Sequence, residues 1–378
     1  MVAATTEQFR LVCLTFIVAV FFGAGAKGQE LMNWGQFRFS ADHCCSLGQT
    51  EIKKPILAWA FSTGDVIESS PCIWNDLAFI GGHAKRLHAV ELKTGKLRWQ
   101  FDVGGWVRAS PSVVDGVVFF GADDNKFYAL DARSGRKIWD FELGEGGQQS
   151  SPAIADGLVY FGAFDKFVYA IDAKSGQLQW KFDAKGSMLS SPVVNERAVF
   201  IGTDSGDLFA INRKDGSKIW SFRANDNPIL SSPALSGDVI FFTSYDHSIY
   251  ALNGSTGKKL WQHQTEGPIF SSPAVKENVV YFGSNDKHLY AVHADTGKRL
   301  WRTPLNGAVF ASPTVTETSI YVGSSDGHFY ALDRKSGGER WRYLVQKGVN
   351  VWTSAAAVRG HLYFGSHAGA LVDLQESD

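Results

Sequence analysis

Short apolar runs alternate with turns rich in Gly and Asp along most of the chain, in an order that recurs. The stretch SSPAIAD, GLVYFGAF, KFVYAIDA and QLQWKFDA shows the unit, with four runs of seven or eight residues each. Runs of this length, rich in Val, Ile, Tyr and Phe and without a helical period, are typical of strands joined by tight turns. The pattern predicts a four-stranded antiparallel meander.

The unit returns every 40 or 41 residues and closes each time on a tryptophan. The tryptophans are Trp59, Trp99, Trp139, Trp180, Trp220, Trp261, Trp301 and Trp341. In the seven complete copies a glycine precedes the tryptophan by four residues, as a hairpin with a positive φ angle requires. The third strand carries an alanine at one fixed place: Ala89, Ala129, Ala170, Ala210, Ala251, Ala291 and Ala331. We expect each indole to lie over the backbone of the neighbouring unit, where its burial contributes about 2–3 kcal/mol.

Four strands in about 40 residues are typical of a propeller blade, a sheet that buries its faces only when neighbours stack on it. Before the first complete copy, the strand around Trp59 stands alone. After the last copy, three strands lack a fourth. The two fragments complete one blade, which predicts an all-β, eight-bladed β-propeller of four-stranded antiparallel blades over residues 56–378, closed by the N-terminal and C-terminal strands.

The first 26 residues differ from the repeats. Arg10 precedes the apolar run Leu11–Ala26, which ends on small residues. This pattern predicts a signal peptide over residues 1–26, cleaved near Ala26, because sixteen residues are short for a membrane span; an uncleaved anchor is the alternative. A lead-in segment, residues 27–55, then precedes the propeller. We expect an exported protein of the periplasm or extracellular space, peripheral at the outer membrane if it is membrane-associated.

The composition of the chain limits the classes of partner that we expect and the number of disulfides that it can form. Lys and Arg (37) nearly balance Asp and Glu (38), so no long-range field favours nucleic acid or anionic lipid. Three cysteines remain after signal cleavage, too few for a disulfide-built fold. Cys44 and Cys45 form a loop pair, and a bridge from one of them to Cys72 is an open alternative. Cys13 begins the apolar run, so a lipoprotein attachment site is not predicted.

The repeat ALDARSGRKIW and AIDAKSGQLQW resembles the quinoprotein-type (PQQ-like) repeat of eight-bladed propellers. This family includes pyrroloquinoline-quinone (PQQ) alcohol dehydrogenases and the non-enzymatic outer-membrane assembly lipoproteins of the BamB type. The segment NWGQFRFSADH is similar to the W-x-x-F-R lead-in of exported propellers of this kind. The resemblance implies either a scaffold that contacts a barrel-inserting protein or a quinoprotein dehydrogenase.

The dehydrogenase alternative implies calcium held by several oxygen ligands, a quinone and long insertions between strands. Each blade here is close to minimal, and Cys44–Cys45 precede the first blade, whereas the family's vicinal pair lies within the propeller. We therefore predict no cofactor, with PQQ and calcium as the unfavoured alternative, no catalytic residues and no metal site. The turn histidines His83, His247, His288, His328 and His367 are interpreted as polar turn residues, and the turn aspartates as acceptors for their own backbone.

Repeat proteins carry function where their copies differ. The residue before each Ser-Ser-Pro-like signal varies most: Glu68, Arg108, Gln149, Leu189, Leu230, Phe270, Phe310 and Trp352. Met188, Ile229, Ile269, Val309 and Val351 precede the apolar ones. We predict that Met188, Leu189, Leu230, Phe270, Phe310, Trp352, Arg108 and Glu68 form a partner-binding face at one mouth of the channel, with Trp106 as a further anchor. The alternative is that the apolar members only wedge neighbouring blades together. We expect a monomer that binds a protein partner, in the envelope or outer-membrane assembly machinery, and no nucleic acid.

Overall fold

The computed structural model describes the backbone of Asn33–Trp34 and residues 50–377 in full. All regular elements in this part are strands, in eight sheets. Blade 1 contains β3 (Cys72–Trp74), β4 (Leu77–Ile80), β5 (Arg86–Glu91) and β6 (Leu97–Asp102), and blade 2 contains β7 (Ser112–Val114), β8 (Val117–Ala122), β9 (Lys126–Asp131) and β10 (Lys137–Glu142). Blade 3 contains β11 (Ala153–Ala155), β12 (Leu158–Gly162), β13 (Phe167–Asp172) and β14 (Leu178–Asp183). Blade 4 contains β15 (Val193–Val194), β16 (Ala198–Gly202), β17 (Asp207–Asn212) and β18 (Lys218–Arg223).

Blades 5 to 7 repeat the arrangement. Blade 5 contains β19 (Ala234–Ser236), β20 (Val239–Ser244), β21 (Ser248–Asn253) and β22 (Lys259–Gln264). Blade 6 contains β23 (Ala274–Lys276), β24 (Val279–Gly283), β25 (His288–His293) and β26 (Arg299–Pro304). Blade 7 contains β27 (Thr314–Val315), β28 (Ser319–Gly323), β29 (His328–Asp333) and β30 (Glu339–Leu344). Every pairing within a blade is antiparallel, and the core lies between neighbouring sheets, as in the cluster that joins Phe200 of blade 4 to Phe242 of blade 5.

Blade 8 combines both ends of the chain, as the sequence predicted. It contains β31 (Ala356–Val358), β32 (His361–Gly365) and β33 (Ala370–Glu376), and its outer strand is β2 (Pro55–Ser62). The register places Trp59 opposite Asp373. The predicted eight-bladed propeller and its mode of closure are thus confirmed.

One element was not anticipated. The short strand β1 (Asn33–Trp34) pairs with β3, so that blade 1 has a fifth strand at its inner edge. The register joins Asn33 to Trp74 and Trp34 to Ile73. Part of the lead-in therefore continues the sheet of blade 1.

Most of the repeated tryptophans connect their blade to the next through a hydrogen bond. Trp59 Nε1 donates to the carbonyl of Leu92 at 2.7 Å, 33 residues along the chain. Corresponding bonds run from Trp99 to Ala132, Trp139 to Ala173, Trp180 to Arg213, Trp220 to Gly254 and Trp261 to Ala294. In these six cases the indole N–H is satisfied on the following blade while the ring lies in the interface.

The ring itself lies on the hairpin glycine of the following blade. A Cβ atom built on Gly176 would come within 2.8 Å of the Trp139 ring, and the residue has φ +71°. The alanine of the third strand has another role, because Ala129 pairs with Trp139 inside the same sheet. The flat partner of the indole is therefore the glycine, whereas the alanine provides space across the strand pair.

The lead-in segment supplies the acceptor for Trp341 that blade 8 cannot provide from a hairpin of its own. Blade 8 has no hairpin between its third and fourth strands, because β33 and β2 belong to opposite ends of the chain. Trp341 of blade 7 donates instead to the carbonyl of Ile52, whose side chain is buried. The neighbouring Glu51 accepts hydrogen bonds from Thr318 and Ser319. The expected boundary between residues 55 and 56 therefore cuts a segment that packs within the propeller.

Several predictions fall outside the described residues: the signal peptide, its cleavage near Ala26, and the Cys44–Cys45 pair. Cys72 is described, and it is a buried free thiol whose pKa burial raises well above the usual range. The disulfide alternative is therefore not realised at Cys72. No helix in the described part of the chain is long and apolar enough to cross a membrane.

Candidate functional site

Two sets of connections meet at one mouth of the propeller. The loops that lead from the outer strand of one blade to the inner strand of the next lie beside the turns between second and third strands. Backbone hydrogen bonds join them, from Asp123 N to Trp106 O and from His367 N to Asn350 O, for example. All residues of the predicted partner-binding face lie on these loops, so the fold brings them to the same side of the ring.

Each loop carries one fully buried residue next to the variable position. Met188 has no exposed surface and packs against Gly162 of the preceding blade, where a Cβ atom would lie 2.7 Å from the Met188 Cβ. Ile229 packs on Gly202 and Val309 on Gly283 in the same way. These side chains wedge neighbouring blades together. Met188 therefore belongs to inter-blade packing and not to the accessible face on which it was expected.

The variable residues form an apolar arc, which we define as Leu189, Leu230, Phe270, Phe310 and Trp352. All five are half-buried. The ring centroids of Phe270 and Phe310 are 5.5 Å apart, and those of Phe310 and Trp352 are 4.7 Å apart. The two alternatives from the sequence thus combine, because these side chains pack on one another and also keep part of their surface accessible.

Two residues of the second-to-third-strand turns extend the arc. Tyr245 lies edge-on to Phe270 with centroids 5.0 Å apart, and His367 lies edge-on to Trp352 at 4.4 Å. The sequence analysis did not identify Tyr245 and interpreted His367 only as a polar turn residue. The signal that would have found His367 is its position, since its backbone N donates to Asn350 in the loop of Trp352. The backbone N of Tyr245 donates to Pro228 in the loop of Leu230, and its ring contacts Phe270 of the next loop.

The opposite side of the mouth carries a polar arc, which we define as Glu68, His83, Trp106, Arg108 and Asp123. The His83 imidazole stacks on the Trp106 indole with centroids 4.1 Å apart and an interplanar angle of 6°. Arg108 lies over the same indole and pairs with Asp123 at 2.6 Å. Glu68 lies 3.4 Å from His83. Trp106 remains 40% exposed and is therefore the accessible aromatic of this arc.

Burial dominates the electrostatics of the mouth. It raises the pKa of Asp123, although the Arg108 guanidinium pulls in the other direction. It lowers the pKa of His367, against the effect of Glu68. The Nε1 of Trp352 and the Nε2 of His367 are buried and have no hydrogen-bond partner among the described residues. Because buried polar groups are nearly always paired in native proteins, this junction of the two arcs offers unused polar atoms to a ligand or partner.

The remaining turn residues have structural roles. Asp286 accepts from the backbone N of His288 and from the Tyr290 hydroxyl at 2.6 Å, and Asp326 acts in the same way on His328. The predicted local bonding of these aspartates is confirmed, and the tyrosine four residues on is a partner that the sequence analysis missed. In the described part of the chain, no group of three or more His, Cys, Asp or Glu side chains is placed to hold a metal ion.

Comparison with protein families gives two matches. A family model described as outer membrane protein assembly factor BamB matches residues 57–181 and 268–378. A model for the β-propeller of the beta-alanine-activating enzyme matches residues 148–319. No curated protein matches the chain.

Solved structures share the fold. The chain is similar to BamB from Moraxella catarrhalis, with 19% identity and a TM-score of 0.73 over 85% of this chain and 100% of that one. It is also similar to a europium-containing methanol dehydrogenase, with 14% identity and a TM-score of 0.79 over 91% and 98% of the two chains. For the quinohemoprotein alcohol dehydrogenase from Comamonas testosteroni the identity is 14% and the TM-score 0.78, over 92% and 81%. At these identities the likeness shows the shared fold alone.

Proposed function

The chain belongs to the family of the outer membrane protein assembly factor BamB, and from this premise we propose that it is an exported, non-catalytic scaffold that binds a protein partner in outer-membrane or envelope protein assembly. The proposed location is the periplasm, with peripheral attachment to the outer membrane through the partner. The proposal assigns no catalytic step, no metal and no cofactor to the mouth.

The observation that carries the proposal is the continuous row of half-buried aromatic side chains from Tyr245 to His367. Aromatic residues that pack side by side and keep an accessible edge are typical anchors of protein interfaces. The polar arc beside them, with Trp106 and the Arg108–Asp123 pair, supplies a rim that fixes the orientation of a partner.

The test uses a photoreactive amino acid at position 310, within the apolar arc, and at position 260 as a matched control. Leu260 is also an exposed apolar residue, but it lies on the outer strand of blade 5. In the native envelope, position 310 should crosslink to a component of the outer-membrane assembly machinery, and position 260 should not. Equal crosslinking from both positions would contradict the proposal.

Substitution separates binding from packing. Phe270→Asp combined with Phe310→Asp should abolish the crosslinking of a probe at position 352 and change the melting temperature by only a few degrees. A large loss of stability would show that these side chains serve packing.

Purified protein incubated with PQQ and calcium should develop no quinone absorbance and no dye-linked alcohol oxidation. A clear signal would favour the dehydrogenase alternative.

A further inference from the structure

A cavity of about 200 Å³ opens between blades 6 and 7, away from the mouth. One side is formed by β24 and β26 of blade 6, which contribute Tyr281 and Trp301. The other side is the hairpin that follows β29 of blade 7, which contributes Arg334 and Lys335. A cavity of about 150 Å³ accepts benzene, so this one has room for a ligand of that size with a polar group.

The indole of this interface differs from the others. Seven of the eight repeated tryptophans donate Nε1–H to a carbonyl of the described chain. Trp301 makes no such bond with any described residue. The hairpin of blade 7 is held through Thr303 instead, whose hydroxyl donates to the carbonyl of Gly337 at 2.7 Å. Trp301, which lines the cavity, therefore has an N–H donor without an acceptor among the described residues.

Arg334 provides a second incompletely used donor. Its side chain is only 6% exposed, its Nη2 donates to Glu277 at 2.7 Å, and the guanidinium also interacts with the Tyr281 hydroxyl. Its Nε is buried without a partner. A guanidinium that is more than nine-tenths buried and has donors to spare is a strong site for an oxyanion.

The interface between blades 3 and 4 contains the same residue types, with a hydrogen-bond partner at each guanidinium nitrogen and at the indole nitrogen. Arg213 donates through Nε to the Tyr160 hydroxyl at 3.1 Å and through Nη1 to the carbonyl of Asn195 at 3.2 Å, and its Nη2 reaches Asp156. Trp180 Nε1 donates to the Arg213 carbonyl at 3.0 Å. The same arrangement thus occurs at two interfaces. Between blades 3 and 4 each guanidinium nitrogen has a partner, whereas between blades 6 and 7 the Arg334 Nε has no hydrogen-bond partner among the described residues.

The chemistry of the walls defines the ligand. Arg334 and Lys335 outnumber Glu277, which leaves one positive charge at the cavity. Burial raises the pKa of Tyr281 to about 12, so its hydroxyl is neutral. Leu300, which is 50% exposed, and Val279 supply apolar surface. We infer that the cavity binds a small organic monoanion, a carboxylate on a short aromatic or aliphatic body, with the carboxylate on Arg334 and Trp301 Nε1 and the body against Leu300.

The experiment follows the indole resonances of the full-length protein labelled with 5-fluorotryptophan, with Trp301→Phe assigning the relevant signal. Benzoate should shift the Trp301 signal saturably and leave the other indoles in place, whereas the uncharged analogue benzamide should bind at least tenfold more weakly, because it lacks the charge that pairs with the guanidinium. No saturable shift with benzoate, or equal shifts with benzamide, would overturn the inference. A response to inorganic phosphate without one to benzoate would overturn the organic ligand class.

Variants locate the binding site. Arg334→Met should weaken benzoate binding about tenfold or more, since it removes the charged donor, and the matched variant Arg213→Met should leave it unchanged. Leu300→Asp changes an exposed residue, so folding should be retained while benzoate is repelled. Unchanged affinity in both Arg334→Met and Leu300→Asp would overturn the inference. Because the cavity lies away from the apolar arc, none of these results depends on the protein partner.

Discussion

Asp373 lies opposite Trp59 in the strand pair that closes the ring, at the place where each other blade sets an alanine opposite its tryptophan. The Asp373 carboxylate is fully buried, and His361 of the adjacent strand lies 2.9 Å away through Nδ1. The one blade without a continuous chain between its third and fourth strands therefore contains a buried, paired carboxyl group.

Removing each partner of this pair should have unequal effects. His361→Ala leaves the Asp373 carboxylate buried without a partner and should lower the free energy of unfolding by about 3 kcal/mol. Asp373→Ala restores the residue of the other blades and should change it by less than about 1 kcal/mol, because a small apolar residue already fits at this position. Urea unfolding of both variants and of the double variant checks this. A larger loss in Asp373→Ala than in His361→Ala would contradict it.

The same pair should make stability depend on pH. The hydrogen bond that His361 donates to the Asp373 carboxylate raises the pKa of His361 above its ordinary value, and burial raises the pKa of Asp373 against the pull of His361. Both groups bind protons more tightly in the folded state, so stability falls as pH rises. The His361 contribution is complete below about pH 6.5 and is lost through its higher folded pKa. Melting temperatures from about pH 5 to about pH 9 should fall more steeply for the wild type than for Asp373→Ala.

The alternation of apolar runs and the 40-residue period were sufficient to predict the blades, their number and the closure, because each depends on local strand and turn preferences. The contacts between repeats were harder to predict. The alanine opposite Trp139 and the glycine beneath it both recur at fixed spacing, and only the register assigns one to the same sheet and the other to the next blade. Burial of Met188 beside half-buried Leu189 likewise depends on which side of the loop faces Gly162.

The glycine beneath each indole gives a prediction with a matched control. Gly176 and Gly157 both have positive φ angles, +71° and +77°, so alanine costs about 1 kcal/mol of backbone strain at either site. Alanine at 176 also meets the Trp139 ring at 2.8 Å, whereas nothing lies within 4 Å at 157. Gly176→Ala should therefore lose a further 1–3 kcal/mol or so in thermal unfolding. Equal losses of stability at the two sites would show that the Trp139 ring can shift away from the added methyl group without a cost in free energy.

Gln148 offers a stabilising substitution. It is fully buried at the wedge position that is apolar in the other seven loops, and its Oε1 has no hydrogen-bond partner among the described residues. Gln148→Met should raise the free energy of unfolding by about 1 kcal/mol, since it removes an unpaired polar atom. The neighbouring Gln149→Met, at a half-buried position facing Arg108, should give no gain. A loss of stability in Gln148→Met would indicate that the amide's bonds to the Ser150 and Gly162 carbonyls outweigh its unpaired oxygen.

Glu51 should show a pH dependence of the opposite sign to that of the closing pair. Burial alone would raise its pKa, but hydrogen bonds from Ser319 and Thr318 lower it below the ordinary value. The carboxylate therefore stabilises the folded state above about pH 4.3, and this contribution is lost as pH falls through the folded pKa. Glu51→Gln should lower stability at neutral pH by about 1–3 kcal/mol and narrow its difference from the wild type in acid. Because Glu51 lies beside the Ile52 carbonyl that Trp341 uses, Trp341 fluorescence should change in Glu51→Gln if the segment detaches. An unchanged melting temperature would show that blade 7 closes without the lead-in.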